Sequence, residues 1–403
     1  MDAARDRHLS GLAERDRRLA YELSAGVLRR QRELDSALEL DRADPRLHDV
    51  LRLGAYQLRH LTRVPKHAAV STSVELARET VGEGSTGYVN RALRQLDRDG
   101  RSGTVGGPSH AQWLTERWIA RYGDAETRRL VEWNDTRPVL IIQPARWTLN
   151  RLEAEFGGAG IETARAPFDS GLEVRSTRPP LPRPTDFPGY TEGAFIVQDP
   201  AHALVARFAA IPPGDRIYDA CAAPGGKAVQ LEAAGARVIA GDRRRERLGR
   251  LTDTTRRAGV AIRCLGADLE AAPIRPASLA AVLVDAPCSA TGTMRRHPDA
   301  RWRLEPAVFA RAAARQSRLL DSAAGLVRPR GLLIYSTCSL EPEENEQVVD
   351  AFLSRHDDFA RAPSPPTAAP AELLTPAGDF QSLPQRHGID GAYAARLVRR
   401  ENR

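Results

Sequence analysis

Short apolar runs alternate with helix-length segments through the second half of the chain, from about residue 190 onward. The runs are RIYDA (216–220), RVIAGD (237–242), AIRCLGAD (261–268), LAAVLVDA (279–286) and GLLIYST (331–337). This alternation predicts an α/β fold, a mostly parallel sheet with helices on both faces. Ligands bind such sheets where the strands end. The residues at those ends are Asp219, Asp242, Asp268, Asp285 and Cys338.

The first 98 or so residues follow a helical pattern instead. Apolar residues recur there three or four positions apart, separated by charged residues. Examples are Leu19, Leu23 and Val27; Leu51, Ala55 and Leu58; and Val89, Leu93 and Leu96. Such stripes predict amphipathic helices that bury one face in a small all-α bundle. The glycine-rich stretch 100–109 is interpreted as a linker.

A smaller unit lies between these two regions. VLIIQ (139–143), the helix-like RWTLNRLEAEF and strand-like pieces near Ile161 and Leu172 predict a small α/β subdomain. Five prolines between Pro179 and Pro188 predict a semi-rigid connector, since proline interrupts helices and central strands. APSPPTAAP (362–370) is expected to be a surface loop before a last strand at 392–398. We therefore predict a helical domain at 1–133, the subdomain at 134–190 and a catalytic domain at 191–403.

Composition narrows the class of protein. The net charge is +7, compatible with a nucleic-acid partner, but only Lys66 and Lys227 among 59 basic residues are lysines. So strong a preference for arginine over lysine indicates a general compositional bias. A single cluster of arginines is therefore no evidence for a nucleic-acid site. The charged N-terminus lacks the apolar core of a secretory signal, and no apolar run approaches the ~20 residues of a membrane span. Four cysteines without metal-ligand spacing indicate free thiols, no metal and a cytoplasmic protein.

The turn CAAPGGK, from Cys221 to Lys227, joins the first strand of the sheet to a helix. Gly225 and Gly226 allow close backbone approach to a ligand, and the following helix offers free N–H groups. The turn is neither GxGxxG nor GxxxxGK[ST], which disfavours nicotinamide and nucleoside triphosphates. Asp242 is placed for a ribose diol and Asp268 for an adenine amino group, although either could simply cap a helix or form a turn. Together these positions indicate a nucleoside without a polyphosphate, which fits S-adenosylmethionine.

Two cysteines end the last two apolar runs. Cys288 follows Asp285-Ala-Pro, and Cys338 precedes EPEENE, where a helix N-terminus would lower its pKa and the glutamates would oppose that effect. A thiolate beside a methyl donor suits cytosine C5, which becomes nucleophilic after a soft nucleophile adds to C6. An acid near N3 would stabilise the adduct, and Asp285 fits if it is protonated or shares a proton with the base. The spacing leaves open which cysteine attacks.

Several motifs resemble the bacterial 16S ribosomal RNA cytosine-5 methyltransferase family of the Sun/Fmu type. They are GAFIVQDPAHAL, DACAAPGGKA, DAPCSATGTMRRHPDARW and YSTCSLEPEENEQVV, with a NusB-like N-terminus in AYELSAGVLRR, LRLGAYQLRHL, VPKHAAVSTSVELAR and GYVNRALR. The resemblance implies a NusB-like helical domain, an RRM-like subdomain and a Rossmann-like class I methyltransferase domain. It implies that Cys338 is the nucleophile and that Cys288 assists breakdown of the adduct.

The resemblance also assigns the ligands. S-adenosylmethionine would bind Cys221, Ala222, Ala223, Pro224, Gly225, Gly226, Lys227, Asp242, Asp268 and Asp285. The partner would be 16S ribosomal RNA, naked or in a precursor particle, bound by a monomer. Phe195 and Trp302 could stack on a base, although core packing is the more ordinary role for each.

The sequence departs from the family pattern at a few places. Ala228 replaces a common threonine, Ala290 replaces the glycine of DAPCSGTG, and Gln143-Pro144-Ala145 replaces Arg-Val-Asn. We expect Ala290 to stiffen or shift its loop and the 143–145 change to alter an RNA contact. Two other functions compete: a transfer-RNA cytosine-5 methyltransferase, and a non-catalytic RNA-binding assembly factor. The NusB-like region disfavours the first, and retention of both thiols and the cofactor turn disfavours the second.

Overall fold

The computed structural model describes residues 9, 11–99, 109–175 and 183–401. The chain divides into two compact units, one of residues 1–137 with 294–304, the other of residues 138–293 with 305–403. Most of the expected linker at 100–109 and part of the proline-rich connector at 179–188 lie outside the described residues. No helix in the described ranges is long and apolar enough to cross a membrane.

The first unit is helical, as the apolar stripes predict. Its helices are α1 (Glu14–Leu38), α2 (His48–His60), α3 (Lys66–Thr80), α4 (Thr86–Arg98), α5 (Gln112–Tyr122) and α6 (Asp124–Asp135). Leu51, Val89 and Leu93 are fully buried in the core that α1 to α4 share. Leu19 is the exception among the predicted stripe residues, since it is 40% exposed. It lies near the N-terminal end of α1, beyond the buried stretch that begins at Ala25.

The segment 294–304 belongs to this helical unit although the sequence places it after the Cys288 loop. Arg301, at the short helix α11 (Ala300–Arg303), has a fully buried side chain. Its guanidinium donates to Asp135 Oδ1 at 2.7 Å and to the Asn134 carbonyl at 2.9 Å. Trp302 Nε1 donates to the Leu28 carbonyl at 2.7 Å. These bonds fix the segment on the helices, and they give Trp302 a structural role.

The second unit contains a small antiparallel sheet. Its strands are β1 (Leu140–Pro144), β2 (Thr163–Arg165), β3 (Leu172–Val174) and β4 (Phe195–Val197), in the order β2-β3-β1-β4, with helix α7 (Leu149–Gly158) packed on them. Phe156 and Phe195 are fully buried in its core, so Phe195 packs rather than stacks on a base. The fourth strand lies beyond residue 190, where the sequence predicted the subdomain to end.

The larger sheet has the strand order β10-β12-β9-β8-β5-β6-β7, with β11 paired to β12. Its strands are β5 (Arg216–Asp219), β6 (Arg237–Gly241), β7 (Arg263–Leu265), β8 (Leu279–Asp285), β9 (Val327–Thr337), β10 (Phe359–Arg361), β11 (Phe380–Ser382) and β12 (Ala392–Arg399). Strands β5 to β9 pair in parallel, and β10 to β12 are antiparallel. The mostly parallel sheet is therefore confirmed. The short edge strands β10 and β11 lacked an apolar run that could have predicted them.

Both faces of this sheet are covered by apolar side chains. Along β8, Val282 and Val284 enter one core cluster while Ala281 and Leu283 enter another, as alternation across a strand requires. The helices of this unit are α8 (Pro200–Phe208), α9 (Gly226–Ala233), α10 (Arg245–Ala258), α12 (Ala307–Ala324), α13 (Glu346–Arg355) and α14 (Pro384–His387). Helix α12 contributes Leu319 to the first cluster, and α10 contributes Leu251 to the second. The parallel strands are thus buried on both sides.

Candidate active site

The parallel strands bring the predicted polar residues to one edge of the sheet. Asp219 is the last residue of β5 and Asp285 the last residue of β8, next to β5 and β9. Asp285 pairs in register with Ser336, two residues before Cys338. Asp242 follows β6, and Asp268 follows β7 by three residues. The order of the strands therefore brings these side chains together at the C-terminal ends of the parallel strands. The sequence alone could assign them only to separate strands.

The turn at 221–227 leads into helix α9. Gly225 is the N-cap residue with φ of 112°, a left-handed conformation that glycine adopts without strain. A Cβ on Gly226 would lie 2.8 Å from Gln198 Nε2, so a larger residue at that position would displace the Gln198 side chain. Ala222 and Ala223 are buried, and Pro224 is exposed. The turn therefore presents backbone at close range and keeps its apolar side chains in the core.

A cavity opens between this turn and the neighbouring strand ends. Cys221, Asp242, Asp268 and Pro287 are among the residues that line it. The Arg244 amide donates to Asp242 Oδ1 at 2.9 Å. Asp242 Oδ2 lies 3.3 Å from Arg247 Nη1 but has no hydrogen-bond partner among the described atoms. A carboxylate at the wall of the cavity, with one oxygen held by a backbone amide and the other without a hydrogen bond, suits a ribose hydroxyl, so these residues fit an adenosyl ligand.

Lys227 faces Asp285 and not this cavity. Its Nζ donates to Asp285 Oδ2 at 2.7 Å and lies 3.3 Å from His202 Nδ1, while Ser336 Oγ donates to Asp285 Oδ1 at 2.8 Å. Burial alone would raise the pKa of Asp285, but the charges of Lys227 and His202 and these hydrogen bonds lower it. Burial alone would lower the pKa of Lys227, but Asp285 raises it. The pair is an ammonium with a carboxylate, which does not fit the protonated Asp285 expected near N3.

Asp219 is buried beside this pair, with 1% of its surface exposed. Neither carboxylate oxygen has a hydrogen-bond partner of good geometry among the described residues. Burial, together with the charge of Asp285, raises the pKa of Asp219 to about 7. Burial and the charge of Asp219 also raise the pKa of Cys221 to about 12, so that thiol is neutral. Asp219 was placed at the sheet edge by sequence but was not singled out as a site residue.

The two thiols meet at the ends of β8 and β9. The distance between Cys288 Sγ and Cys338 Sγ is 3.1 Å, and both cysteines are free and partly exposed. A hydrogen bond with Cys338, burial, and the charges of Cys338 and Glu344 raise the pKa of Cys288 well above its ordinary value. The segment after Cys338 forms a short 3₁₀ turn at Pro342–Glu344 before helix α13. At this distance the two sulfurs can share one proton. The protonated thiol can then donate a hydrogen bond to the other sulfur and stabilise it as a thiolate.

Sequence reasoning missed the group that binds both thiol loops together. Glu344 is completely buried and contacts Ser289, Ser339 and Gln316. The four glutamates in EPEENE are alike by sequence, and only the fold shows the contacts of Glu344 with both thiol loops. The one available signal was its place between the motif cysteine and the helix.

The departures from the family pattern have local explanations. Ala290 has φ of 60°, the left-handed region in which a Cβ is strained and glycine is favoured. Gln143 is buried and donates through Nε2 to the Ser170 carbonyl at 2.9 Å. It therefore holds the small sheet together and offers no side chain to RNA. Ala228 is fully buried in the core beneath the turn, where its methyl group packs.

The fold and the site define a Rossmann-like methyltransferase domain joined to a NusB-like helical region. The family model described as 16S rRNA methyltransferase RsmB/F matches residues 208–398, and the NusB family model matches residues 2–98. The chain belongs to the RsmB/F family of ribosomal RNA small subunit methyltransferases. This confirms the family that the motifs indicated.

Curated relatives agree with this membership, and solved structures share the fold. The chain is 35% identical to a probable ribosomal RNA small subunit methyltransferase B from Synechocystis sp., over 98% of this chain and 94% of that protein. It is 32% identical to the Klebsiella pneumoniae methyltransferase B, over 97% of this chain and 92% of the other. The crystal structure of PH0851 is similar with a TM-score of 0.78 at 24% identity, covering 97% of this chain and 92% of that one. NSun6 from Pyrococcus horikoshii with SFG has a TM-score of 0.62 at 18% identity, covering 72% and 99%.

Proposed function

We propose that this protein methylates cytosine C5 in 16S ribosomal RNA, with S-adenosylmethionine as the methyl donor and Cys338 as the covalent nucleophile. The observation that supports this most directly is the contact of two free thiols at 3.1 Å, beside the cavity that Cys221 and Asp242 line. Methylation of an oxygen or an exocyclic nitrogen has no need of a thiol pair. A carbon that must first be activated does.

Cys338 attacks as a thiolate, and the Cys288 S–H donates to its sulfur. The new bond joins Sγ to C6, and the displaced electron pair spreads over the ring towards N3. S-adenosylmethionine supplies an electrophilic methyl group, which C5 takes as the sulfonium sulfur keeps the pair of the broken bond. Loss of the C5 proton to water then restores the double bond and expels Cys338 with its bonding electrons. Cys288 stabilises this leaving thiolate through the same hydrogen bond, and the net reaction releases one proton.

Lys227 and Asp285 together stabilise the negative charge that develops on the cytosine ring. Because Asp285 holds the Lys227 ammonium at 2.7 Å in a buried position, the positive charge is available near the strand ends without reorganisation. We assign Lys227 to the electrostatic stabilisation first expected of Asp285. Asp285 becomes the residue that orients it.

The target base must leave its stack to reach the thiols, as in other enzymes that act on a base. We propose that the NusB-like helices and the small sheet bind the surrounding RNA by shape and phosphate contacts. The three predicted domains, the monomeric state and the cytoplasmic location remain part of this proposal. The matches of methyltransferase B relatives over nearly the full length favour ribosomal over transfer RNA.

The test uses unmethylated small-subunit ribosomal RNA, S-adenosylmethionine and three forms of the protein. Wild type should produce 5-methylcytosine, detected by nucleoside mass spectrometry. Cys338→Ala should form neither product nor covalent complex, and Cys288→Ala should accumulate a protein–RNA adduct that survives denaturing electrophoresis. Cys264→Ala is the matched control, because Cys264 is a partly buried free cysteine on β7. An adduct with Cys338→Ala would reverse the two roles, and no product from wild type would favour a non-catalytic binding factor.

A further inference from the structure

Glu344 is a buried carboxylate whose two oxygens face donors on every side. Oε2 accepts the Ser289 backbone N–H at 2.9 Å and Gln316 Nε2 at 2.9 Å. Oε1 accepts the Ser339 hydroxyl at 2.7 Å and also the Ser289 hydroxyl. Ser339 Oγ accepts the Glu341 amide at 3.1 Å, so its own proton is directed to Glu344. Each oxygen therefore accepts two hydrogen bonds, an arrangement that stabilises the carboxylate form.

Glu344 accepts the backbone amide that directly follows Cys288, whereas it meets the residue after Cys338 only through a side-chain hydroxyl, and it has no ion-pair partner in the described part of the chain. Ser289 directly follows Cys288 and Ser339 directly follows Cys338, so one carboxylate binds both thiol loops. Gln316 strengthens the link, because its Nε2 also donates to the carbonyl of Pro287 at 3.0 Å. The donors stabilise the carboxylate by hydrogen bonding, but they leave its net charge uncompensated.

We propose that Glu344 is a positioning residue that keeps the shared proton of the thiol pair on Cys288, and thereby leaves Cys338 as the sulfur that attacks. The inference rests on the proposed function for its catalytic meaning, but the protonation of Cys288 can be measured without RNA. The family resemblance ranked the two cysteines without a physical cause. Glu344 supplies one, because a nearby negative charge opposes ionisation of a thiol.

The other groups around Cys288 agree with this assignment. Cys338 and Glu344 are the charged groups that raise the pKa of Cys288, and the amide of Ala290 opposes them. The Tyr335 hydroxyl donates to the carbonyl of Glu344 at 2.6 Å, and burial raises the pKa of this phenol well above its ordinary value, so it adds no charge. Replacing the carboxylate is therefore the most direct change to the charge that acts on Cys288.

Glu344→Gln is the informative variant because glutamine has the same shape. Its amide oxygen can accept the two N–H groups at the Oε2 position, and its NH₂ can donate to the two serine hydroxyls, which are free to rotate. Ser339→Ala is the matched control, since it removes one hydrogen bond from Glu344 and keeps the charge. A purely geometric role would make these two variants behave alike.

The measurement is alkylation of each cysteine by iodoacetamide in the RNA-free protein, followed by peptide mass spectrometry between pH 7 and 10. Glu344→Gln should accelerate labelling of Cys288 about tenfold at pH 8, because its pKa falls and more thiolate is present. Ser339→Ala should change that rate less than threefold. Labelling of Cys264 and the melting temperature report on unfolding and should stay unchanged.

The catalytic consequence is measured separately by methyl transfer. Glu344→Gln should lower kcat at least tenfold and change KM for RNA less than threefold, because the RNA-binding surface is untouched. Unchanged or slower labelling of Cys288 in a folded Glu344→Gln variant would refute the proposal, as would faster labelling in Ser339→Ala to the same extent. If wild type makes no 5-methylcytosine, the proposed function fails, but the labelling result still decides where the proton resides.

Discussion

Replacing Asp219 by asparagine should make the protein more stable at neutral and alkaline pH. Asp219 is buried without a full hydrogen-bond partner, and its charge lies near the carboxylate of Asp285. A carboxylate in such a place disfavours the folded state whenever it is ionised. Asparagine fills the same volume without the charge.

The pKa of Asp219 sets the size and the pH range of this effect. Its pKa rises from an ordinary 3.8 to about 7 on folding. Below about pH 4 the group is neutral in both the folded and the unfolded chain, and it destabilises neither. Between pH 4 and 7 the unfolded chain ionises first, so the free energy of unfolding falls by about 1.4 kcal/mol per pH unit. Above pH 7 the free energy of unfolding is lower than below pH 4 by the full amount, which is on the order of 4 kcal/mol.

Calorimetric melting of wild type and Asp219→Asn from pH 4.5 to 8 tests this. The melting temperatures should nearly coincide at the lowest pH, and the variant should melt roughly 8 °C higher at pH 8, at about 2 °C per kcal/mol for a unit of this size. Asp253→Asn, at a side chain 75% exposed on α10, is the control for losing a carboxylate and should differ little from wild type at any pH. A difference between wild type and Asp219→Asn that does not grow with pH would refute the reasoning.

Two further predictions concern positions with a strained backbone or a buried charge. Ala290→Gly should raise the melting temperature by an amount equivalent to about 1 kcal/mol, because glycine relieves the φ of 60°; no gain by calorimetry would mean that the loop has already relaxed. Arg301→Met should destabilise the helical unit by about 3–5 kcal/mol, because it leaves Asp135 and the Asn134 carbonyl without their buried donor. Denaturation followed by tryptophan fluorescence measures this, and an Arg301→Met/Asp135→Asn double variant that recovers none of the loss would contradict an ion-pair origin.

Periodicity predicted most of the fold because the apolar runs of the parallel strands alternate regularly with helix-length segments and the helical stripes repeat. The sequence predicted only one of the three antiparallel strands of the larger sheet. The strand β12 (Ala392–Arg399) is apolar except at Arg396 and Arg399, whereas β10 (Phe359–Arg361) and β11 (Phe380–Ser382) have three residues each. These two strands form by pairing with β12, and a local sequence pattern contains no information about that neighbouring strand. The same holds for 294–304, which packs in the helical unit although its sequence follows the thiol loop.

The sequence predicted most residues of the candidate site but not their ionisation states. Strand ends named Asp219, Asp242, Asp268, Asp285 and Cys338, yet sequence could not pair them. The expectation of a protonated Asp285 fails because Lys227 reaches it across the sheet edge. The role of Glu344 was hidden for a related reason. Its donors come from three separate parts of the chain, and a carboxylate becomes informative only when those donors are known.

The arginine bias that made the basic charge uninformative makes one lysine informative. Among 59 basic residues the chain has two lysines, and Lys66 is an exposed partner of Asp97 while Lys227 is buried. An ammonium is a compact charge on a flexible stem, whereas a guanidinium is a planar fork that needs room for five donors. Lys227 is buried, and its Nζ lies 2.7 Å from Asp285 Oδ2 and 3.3 Å from His202 Nδ1. Two partners suit the three donors of a compact ammonium better than the five donors of a buried guanidinium, so this position favours lysine even in a chain that otherwise uses arginine.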